Sequence, residues 1–333
     1  MPYKEEWHLG SSGRMEEKAI MKISILIPCY NEEENARAIC EAVKDMLKKE
    51  LPDYDYEILF IDNKSTDNTR GIIRELCRED PKVKAIFNIK NFGQFNSPYY
   101  GLTQSDGDCT IPLCADFQDP IELIPEMVHK WEEGHKVVCM IKSRSRENKL
   151  IYFFRSIYYW LVHKMGNVKQ IKQFTGFGLY DRSFIDILRK LDDPTPFYRG
   201  IVAEYAPDHL EIEYEQQKRR AGKSSNNFMT LFDAAMLSLT SYTKGILRVA
   251  TFGGFIMAII SLIVAMVYLV MKLTRWYDFP VGQAPMVIGV YFIGSVQLFF
   301  LGFLGEYVMS INQRVIDRPL VIEEERINFT DGI

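Results

Sequence analysis

The sequence predicts an α/β protein: a mostly parallel, doubly wound sheet with a membrane anchor behind it. Three observations carry that expectation. Short apolar runs alternate with amphipathic helical stretches from Lys22 to Ile141. Each of the first four runs ends in a polar loop. After about Gly245 the composition changes to two long apolar stretches.

A chain of 333 residues has room for one large domain and an appendage. Its formal charge of −4, with no basic arm interleaved with aromatics, argues against nucleic acid as a partner. The six cysteines, Cys29, Cys40, Cys77, Cys109, Cys114 and Cys139, form no CxxC pair and have no histidine cluster. Zinc is not expected, and all six are read as small buried residues in a reducing compartment.

Residues 1–20 form a polar leader that lacks the apolar core of a signal peptide and is expected to be disordered. Lys22 to Pro28 reads as a buried strand stopped by proline. The loop Cys29 to Asn35 follows, with Asn31 or Asn35 as N-cap of a helix reaching about Lys49. A second strand, Tyr56 to Ile61, leads into Asp62-Asn63-Lys64-Ser65-Thr66-Asp67, and Asn68-Thr69 opens the next helix. A third, Val83 to Phe87, leads to Asn91-Phe92-Gly93-Gln94. The fourth, Cys109 to Leu113, runs into Cys114-Ala115-Asp116-Phe117-Gln118-Asp119-Pro120. In such sheets the functional loops gather at the carboxyl ends of the strands, where all four polar segments fall. Carboxylate and amide oxygens after the fourth strand suit Mg²⁺ or Mn²⁺ held against a diphosphate; an ordinary polar turn is the alternative.

A helix, Ile121–Gly134, and a strand, Lys136–Ile141, come next. Between Lys142 and Lys172 the only acid is Glu147 among many cations. Over about 149–166, Leu150, Phe153, Phe154, Ile157, Leu161 and Met165 share one helical face. This pattern predicts a basic amphipathic helix on an anionic membrane, or else a core-facing helix with a solvated face. Ile246–Met271 and Ala284–Gly305 each meet the requirement of about 20 apolar residues for a transmembrane span. Trp276 and Tyr277 fit an interfacial belt, and Lys244, Arg248, Arg314 and Arg318 at the outer ends lean toward a cytoplasmic body. Gly289, Gly294, Gly302 and Gly305 would allow close helix packing and a homo-oligomer. The expected division is a catalytic domain over 21–225, a second interface helix or linker over 226–245, two spans within 246–309 and a cytoplasmic tail over 310–333.

Taken together, these motifs resemble the family 2 glycosyltransferases of GT-A fold, in the branch of polyprenyl-phosphate sugar synthases with two C-terminal transmembrane helices. The resemblance runs from about Ile23 to Ile322 through Ile27-Pro28-Cys29-Tyr30-Asn31-Glu32, the Asp62–Asp67 loop, Asn91-Phe92-Gly93-Gln94 and Ala115 to Pro120. It continues in Arg219-Arg220-Ala221-Gly222-Lys223-Ser224, Leu304-Gly305-Glu306-Tyr307 and Arg318-Pro319-Leu320.

The resemblance implies an inverting transfer of a hexose from a nucleotide-diphosphate sugar, of the UDP-glucose kind, to a polyprenyl phosphate. The setting would be the cytoplasmic face of a bacterial plasma membrane. Pro28, Tyr30, Asn31, Glu32, Asp62, Asn63, Lys90, Asn91 and Ala115 would line the nucleotide, with Asp62 accepting from the base. Asp116, with Gln118, would hold the metal. Arg155, Arg199, Arg219 and Lys223 would receive the acceptor phosphate, with Asp116 and Arg219 central to catalysis. The chain departs from the family pattern in Asn63 and Cys114, where aspartates are usual. It also has Thr175-Gly176-Phe177-Gly178-Leu179 for the usual Gly-Asp-Phe, and Ser224-Ser225 for the usual Ser-Lys.

A hydroxyl acceptor needs a general base beside it. A phosphate monoester needs none, because its second pKa of about 6 leaves it largely dianionic at neutral pH. The missing Gly-Asp-Phe carboxylate therefore suits a phosphate acceptor. Two alternatives stand beside this reading: transfer to a glycan or glycolipid hydroxyl, with Asp119 as base, and a degenerate transferase acting as a membrane scaffold.

Overall fold

Ile23, Ile25, Leu26 and Ile27 have no exposed surface because the first strand lies mid-sheet with helices on both faces. The computed structural model describes residues 20–143, 170–191, 193–217, 219–220, 236–237, isolated positions between 252 and 274, 283–316 and 318–329. β1 (Lys22–Cys29), α1 (Ala36–Glu50), β2 (Asp55–Asp62), α2 (Thr69–Glu79), β3 (Val83–Asn88), α3 (Gly93–Gln104) and β4 (Cys109–Pro112) alternate as expected. A 3₁₀ turn over Ile121–Leu123 then leads into α4 (Ile124–Glu132), β5 (Val137–Lys142), β6 (Phe174–Asp181) and α5 (Arg182–Lys190). They are followed by α6 (Tyr198–Tyr205), β7 (Leu210–Tyr214), α7 (Gln283–Val315) and β8 (Glu323–Ile327).

The eight strands form one sheet in the order β7-β5-β6-β4-β1-β2-β3-β8. β1 pairs in parallel with β2 and β4, β2 with β3, and β5 with β7. β6 and the edge strand β8 run antiparallel to their neighbours. This is the mostly parallel α/β sheet that the sequence predicts. Side chains alternate across a strand, so each strand feeds two cores. Ile23, Ile25 and Ile27 pack with Ile39, Val43, Ile73 and Met127 from α1, α2 and α4. Leu26, Leu59, Ile61 and Ile86 pack with Tyr99, Leu102, Ile185 and Val202 from α3, α5 and α6.

At the amino ends of the strands, the buried Glu57 accepts from Ser24 Oγ at 2.6 Å and from Asp106 N at 2.7 Å. Its other oxygen lies 2.7 Å from Lys84 and 3.0 Å from Lys22. That polar knot ties β1, β2, β3 and the turn before β4 on the side away from the four loops.

Two readings need correction. Five cysteines are buried as expected, but Cys114 is exposed, because it stands past the end of β4 in the loop. The segment after α7 is not a bare tail: β8 pairs with β3 and covers the sheet edge that β3 would otherwise leave open. α7 contains Phe292–Asn312, a stretch of 21 residues that is long and apolar enough to cross a membrane and has no buried residue among those described. It contains the second expected span. The first span lies mostly outside the described residues, as do the leader and the amphipathic stretch 149–166, and so does 226–245 except for Met236 and Leu237.

Candidate active site

Side chains lace the loops after β1, β2 and β3 into one unit. Asn31 sits at φ 57°, a left-handed conformation that asparagine tolerates. Its N–H donates to Ser65 Oγ at 2.9 Å, and its Oδ1 accepts Thr66 N at 2.8 Å. Glu32 N donates to Thr69 Oγ1 at 2.8 Å, and Glu33 accepts Asn68 N at 2.8 Å, placing an acid at the α2 N-terminus. Tyr30 stands half open at the rim, and the Lys90 ammonium lies 4.9 Å from the centre of the Phe92 ring.

Asn63 binds the second loop to the third. Its Nδ2 donates to Asn91 Oδ1 and Gly93 O, both at 3.0 Å. Its Oδ1 accepts Phe92 N at 2.8 Å and Asn88 Nδ2 at 3.2 Å. Two donors and two acceptor positions are thus all in use, which only an amide supplies. Its neighbour Asp62 corrects an expectation. The carboxylate is fully buried, accepting Ser65 N at 3.2 and 3.3 Å and lying 3.0 Å from Arg70 Nε. Burial pushes its pKa up, against the pull of Ser65 and Arg70. Asp62 shapes its loop from inside and is not an open acceptor for a base.

The fourth loop turns sharply at Phe117, φ 61°, a conformation that costs a residue with a Cβ about 1–2 kcal/mol. The turn lets Asp116 Oδ1 accept Gln118 N at 3.1 Å. A strap after β7 lies along this loop: Gln217 N donates to Gln118 O and Arg220 N to Asp116 O, both at 3.1 Å. Arg219 Nη2 stands 2.9 Å from Asp116 Oδ2, and the Arg220 guanidinium lies 5.0 Å from the Phe117 ring centre. Burial raises the Glu32 pKa, and both Arg219 and Asp116 act on that carboxyl, so the first and fourth loops meet electrostatically. Ala115 is buried beneath this loop. Arg199 opens α6, its guanidinium 5.2 Å from the Phe197 ring centre. Arg155 and Lys223 lie outside the described residues.

Asp119, the one other carboxylate of the fourth loop, is turned inward. It is 3% exposed, accepting Cys114 N and the Tyr214 hydroxyl, both at 3.2 Å.

Residues 24–186 match the model of the family described as Glycosyl transferase family 2. A prophage-derived bactoprenol glucosyl transferase of Shigella flexneri is 33% identical over 91% of this chain and 97% of its own length. The chain belongs to glycosyl transferase family 2. A prophage bactoprenol glucosyl transferase homolog of Escherichia coli is 30% identical over 91% of this chain and 98% of its own. Among solved structures, glucosyl-3-phosphoglycerate synthase from Mycobacterium tuberculosis, crystallised with Mn²⁺ and UDP-glucose, is 15% identical. It covers 66% of this chain and 79% of its own, with a TM-score of 0.48.

As a family 2 glycosyltransferase the chain is spare in metal ligands. Among the described residues no group of three His, Cys, Asp or Glu side chains could hold an ion. The fourth loop offers one carboxylate, Asp116, and the Gln118 amide. Both are hard oxygen donors that suit Mg²⁺ or Mn²⁺ if substrate oxygens and water complete the shell. Where the resemblance implies Gly-Asp-Phe, Gly176 takes φ 107° and Phe177 is buried edge-on to Tyr214, ring centres 5.5 Å apart. Gly178 passes so close to β5 that a Cβ would lie 2.2 Å from Val138 O, so no side chain fits there.

Proposed function

We propose that the chain is an inverting transferase that moves a hexose from a nucleotide-diphosphate sugar, of the UDP-glucose kind, to a polyprenyl phosphate. The observation that carries this reading is the pairing of Asp116 and Arg219 at 2.9 Å, with Asp119 turned away and closed off. A guanidinium fork suits phosphate, and a fourth loop without an open second carboxylate suits an acceptor that needs no base. The relatives named bactoprenol glucosyl transferases support the same acceptor class.

The loops after β1, β2 and β3 would hold the nucleotide through Pro28, Tyr30, Asn31, Glu32, Asn63, Lys90 and Asn91, with Asp62 keeping its loop in shape. Asp116 and Gln118 would hold Mg²⁺ or Mn²⁺, which when bound neutralises charge on the leaving diphosphate. Arg219, with Arg155, Arg199 and Lys223, would align the lipid phosphate. One phosphate oxygen forms the new bond to the anomeric carbon as the bond to the nucleotide diphosphate breaks, with inversion. α7 would anchor the enzyme as an integral protein of a bacterial plasma membrane, with the catalytic sheet on the cytoplasmic side.

The test is a panel of radiolabelled sugar nucleotides supplied with undecaprenyl phosphate and Mg²⁺, reading label in extracted lipid. A labelled, alkali-stable but mild-acid-labile lipid from one UDP-hexose is expected. Label appearing only in a glycan or glycolipid, or in no product at all, would sink the proposal.

A further inference from the structure

The residues after α7 fold back onto the catalytic sheet. β8 lies antiparallel to β3, with Phe87 opposite Glu325 and Asn88 opposite Glu323. The register shifts between Phe87 and Asn88, leaving Glu324 as the extra residue of a bulge. Bulges of this kind re-aim a side chain. Here Glu324 Oε2 lies 2.8 Å from Lys64 Nζ and 3.0 Å from Arg70 Nη2. Both cations belong to the loop and helix start that follow β2. Arg70 Nε in turn lies 3.0 Å from Asp62 Oδ1. Asp62 accepts Ser65 N, and Ser65 Oγ accepts Asn31 N at 2.9 Å. One connected set of contacts therefore runs from the strand behind the membrane helix to the loop after β1.

We infer that Glu324 is a positioning residue for the sugar-nucleotide donor, acting through Arg70 on Asp62; this rests on the reading of the first three loops as the donor site. Arg70 is mostly buried and divides its guanidinium between two carboxylates, one on each side. Without Glu324, its Nη2 edge loses an anionic partner. Lys64, held at φ 65°, loses its own partner as well and is free to compete for Asp62. The loop between β2 and α2 then has two unbalanced cations beside the carboxylate that shapes it. The next residue provides an internal control. Glu325 lies 2.6 Å from Arg74, whose guanidinium rests on the same Phe87 ring as that of Arg70, at 4.6 and 4.9 Å. Both pairs tie β8 to α2, but Arg70 touches Asp62 directly at 3.0 Å, whereas Arg74 acts on it only through longer-range charge.

The experiment titrates detergent-solubilised full-length protein with UDP, GDP and dTDP by calorimetry. With whichever diphosphate the wild type binds, Glu324→Gln is expected to weaken binding about fivefold or more. Glu325→Gln should change it less than about twofold, because its partner Arg74 makes no direct contact with Asp62. Glu324→Asp should recover part of the loss. In the Arg70→Gln background the added Glu324→Gln change should cost less than about twofold, because most of its effect passes through Arg70 and only the Lys64 part remains. Equal losses in Glu324→Gln and Glu325→Gln would reduce β8 to a structural edge and overturn the inference, as would unchanged binding in Glu324→Gln. Both outcomes leave the donor site standing. A wild type that binds none of the three diphosphates removes the donor-site reading and this inference with it.

Discussion

Arg219 holds Asp116 from a strap bonded to the same loop: Nη2 to Oδ2 is 2.9 Å, and Arg220 N reaches Asp116 O at 3.1 Å. From the sequence these two residues belong to different substrates, the arginine to the lipid phosphate and the aspartate to a metal on the donor. Under the proposed function, their contact would bring both phosphates to one point. It also gives the arginine a second role, that of balancing a nearly buried carboxylate that would otherwise carry an uncompensated charge.

The first prediction follows from that contact. Arg219→Ala removes the balancing cation, so Mn²⁺ should bind donor-free protein severalfold more tightly, while turnover falls on the order of a hundredfold. Arg219→Lys keeps the charge without the fork and should mainly raise KM for the lipid phosphate. Electron paramagnetic resonance of free Mn²⁺ reads the first effect, and saturation curves for each substrate read the second. Weaker Mn²⁺ binding in Arg219→Ala would show that the arginine does not mask Asp116.

Asn63 yields a prediction that runs against the family pattern. The resemblance implies an aspartate there, yet the amide donates to Asn91 Oδ1 and to Gly93 O. Asn63→Asp sets a carboxylate oxygen against both acceptors and should destabilise the protein by about 1–3 kcal/mol. Nucleotide binding should weaken as the second and third loops separate. Differential scanning calorimetry and a nucleoside diphosphate titration measure the two effects. An unchanged melting temperature with tighter nucleotide binding would mean that the loops accommodate the carboxylate.

Most of the sheet was legible because its strands are apolar runs with buried alternating faces, and Ile23 to Ile27 or Ile58 to Ile61 can hardly be anything else. The four loops were legible because each begins where such a run stops. β8 was not, since Glu323 to Ile327 reads Glu-Glu-Glu-Arg-Ile and its place depends on cations distant in sequence, Lys64, Arg70 and Arg74. The inward turn of Asp119 was equally hidden. Spacing places a carboxylate on a loop, whereas its direction depends on Tyr214, a residue 95 positions away. The sequence shows Asn63 as a nucleotide-loop residue that lacks a charge, but not as the tie between two loops, because the worth of an amide depends on both its neighbours.

Glu57 gives a prediction in pH. Burial alone would raise its pKa, but hydrogen bonds from Lys84, Ser24 and Asp106 N outweigh that and leave it below the ordinary value of 4.5. A carboxyl held low in the fold contributes stability that is fully present above its unfolded value and is lost as pH falls toward the folded one. Asp55, Asp80 and Asp181 are also held low, so the wild type should lose melting temperature steeply between about pH 5 and pH 3. Glu57→Gln should melt lower at neutral pH and lose less on acidification, since the other three carboxyls act equally in both proteins. Parallel curves for the two proteins would show that Glu57 carries no pH-linked stability.

Asp119 decides between acceptor classes. As a general base for a hydroxyl it would have to be open and ionised, yet it is 3% exposed and accepts bonds from Cys114 N and Tyr214 OH. Burial raises its pKa, against the pull of those two partners. An asparagine in its place would keep one acceptor oxygen and could donate from its amide to the Tyr214 hydroxyl, which can rotate to accept. Asp119→Asn should therefore retain turnover on polyprenyl phosphate within about tenfold, with an unshifted pH–rate profile. Asp116→Asn, by contrast, should lose nearly all activity, because the carboxylate that faces Arg219 and would hold the metal is gone. A general base is worth about 10²–10⁴ in rate. If Asp119→Asn falls by that much while its melting temperature and nucleotide affinity hold, then a base is in use and the acceptor is a hydroxyl.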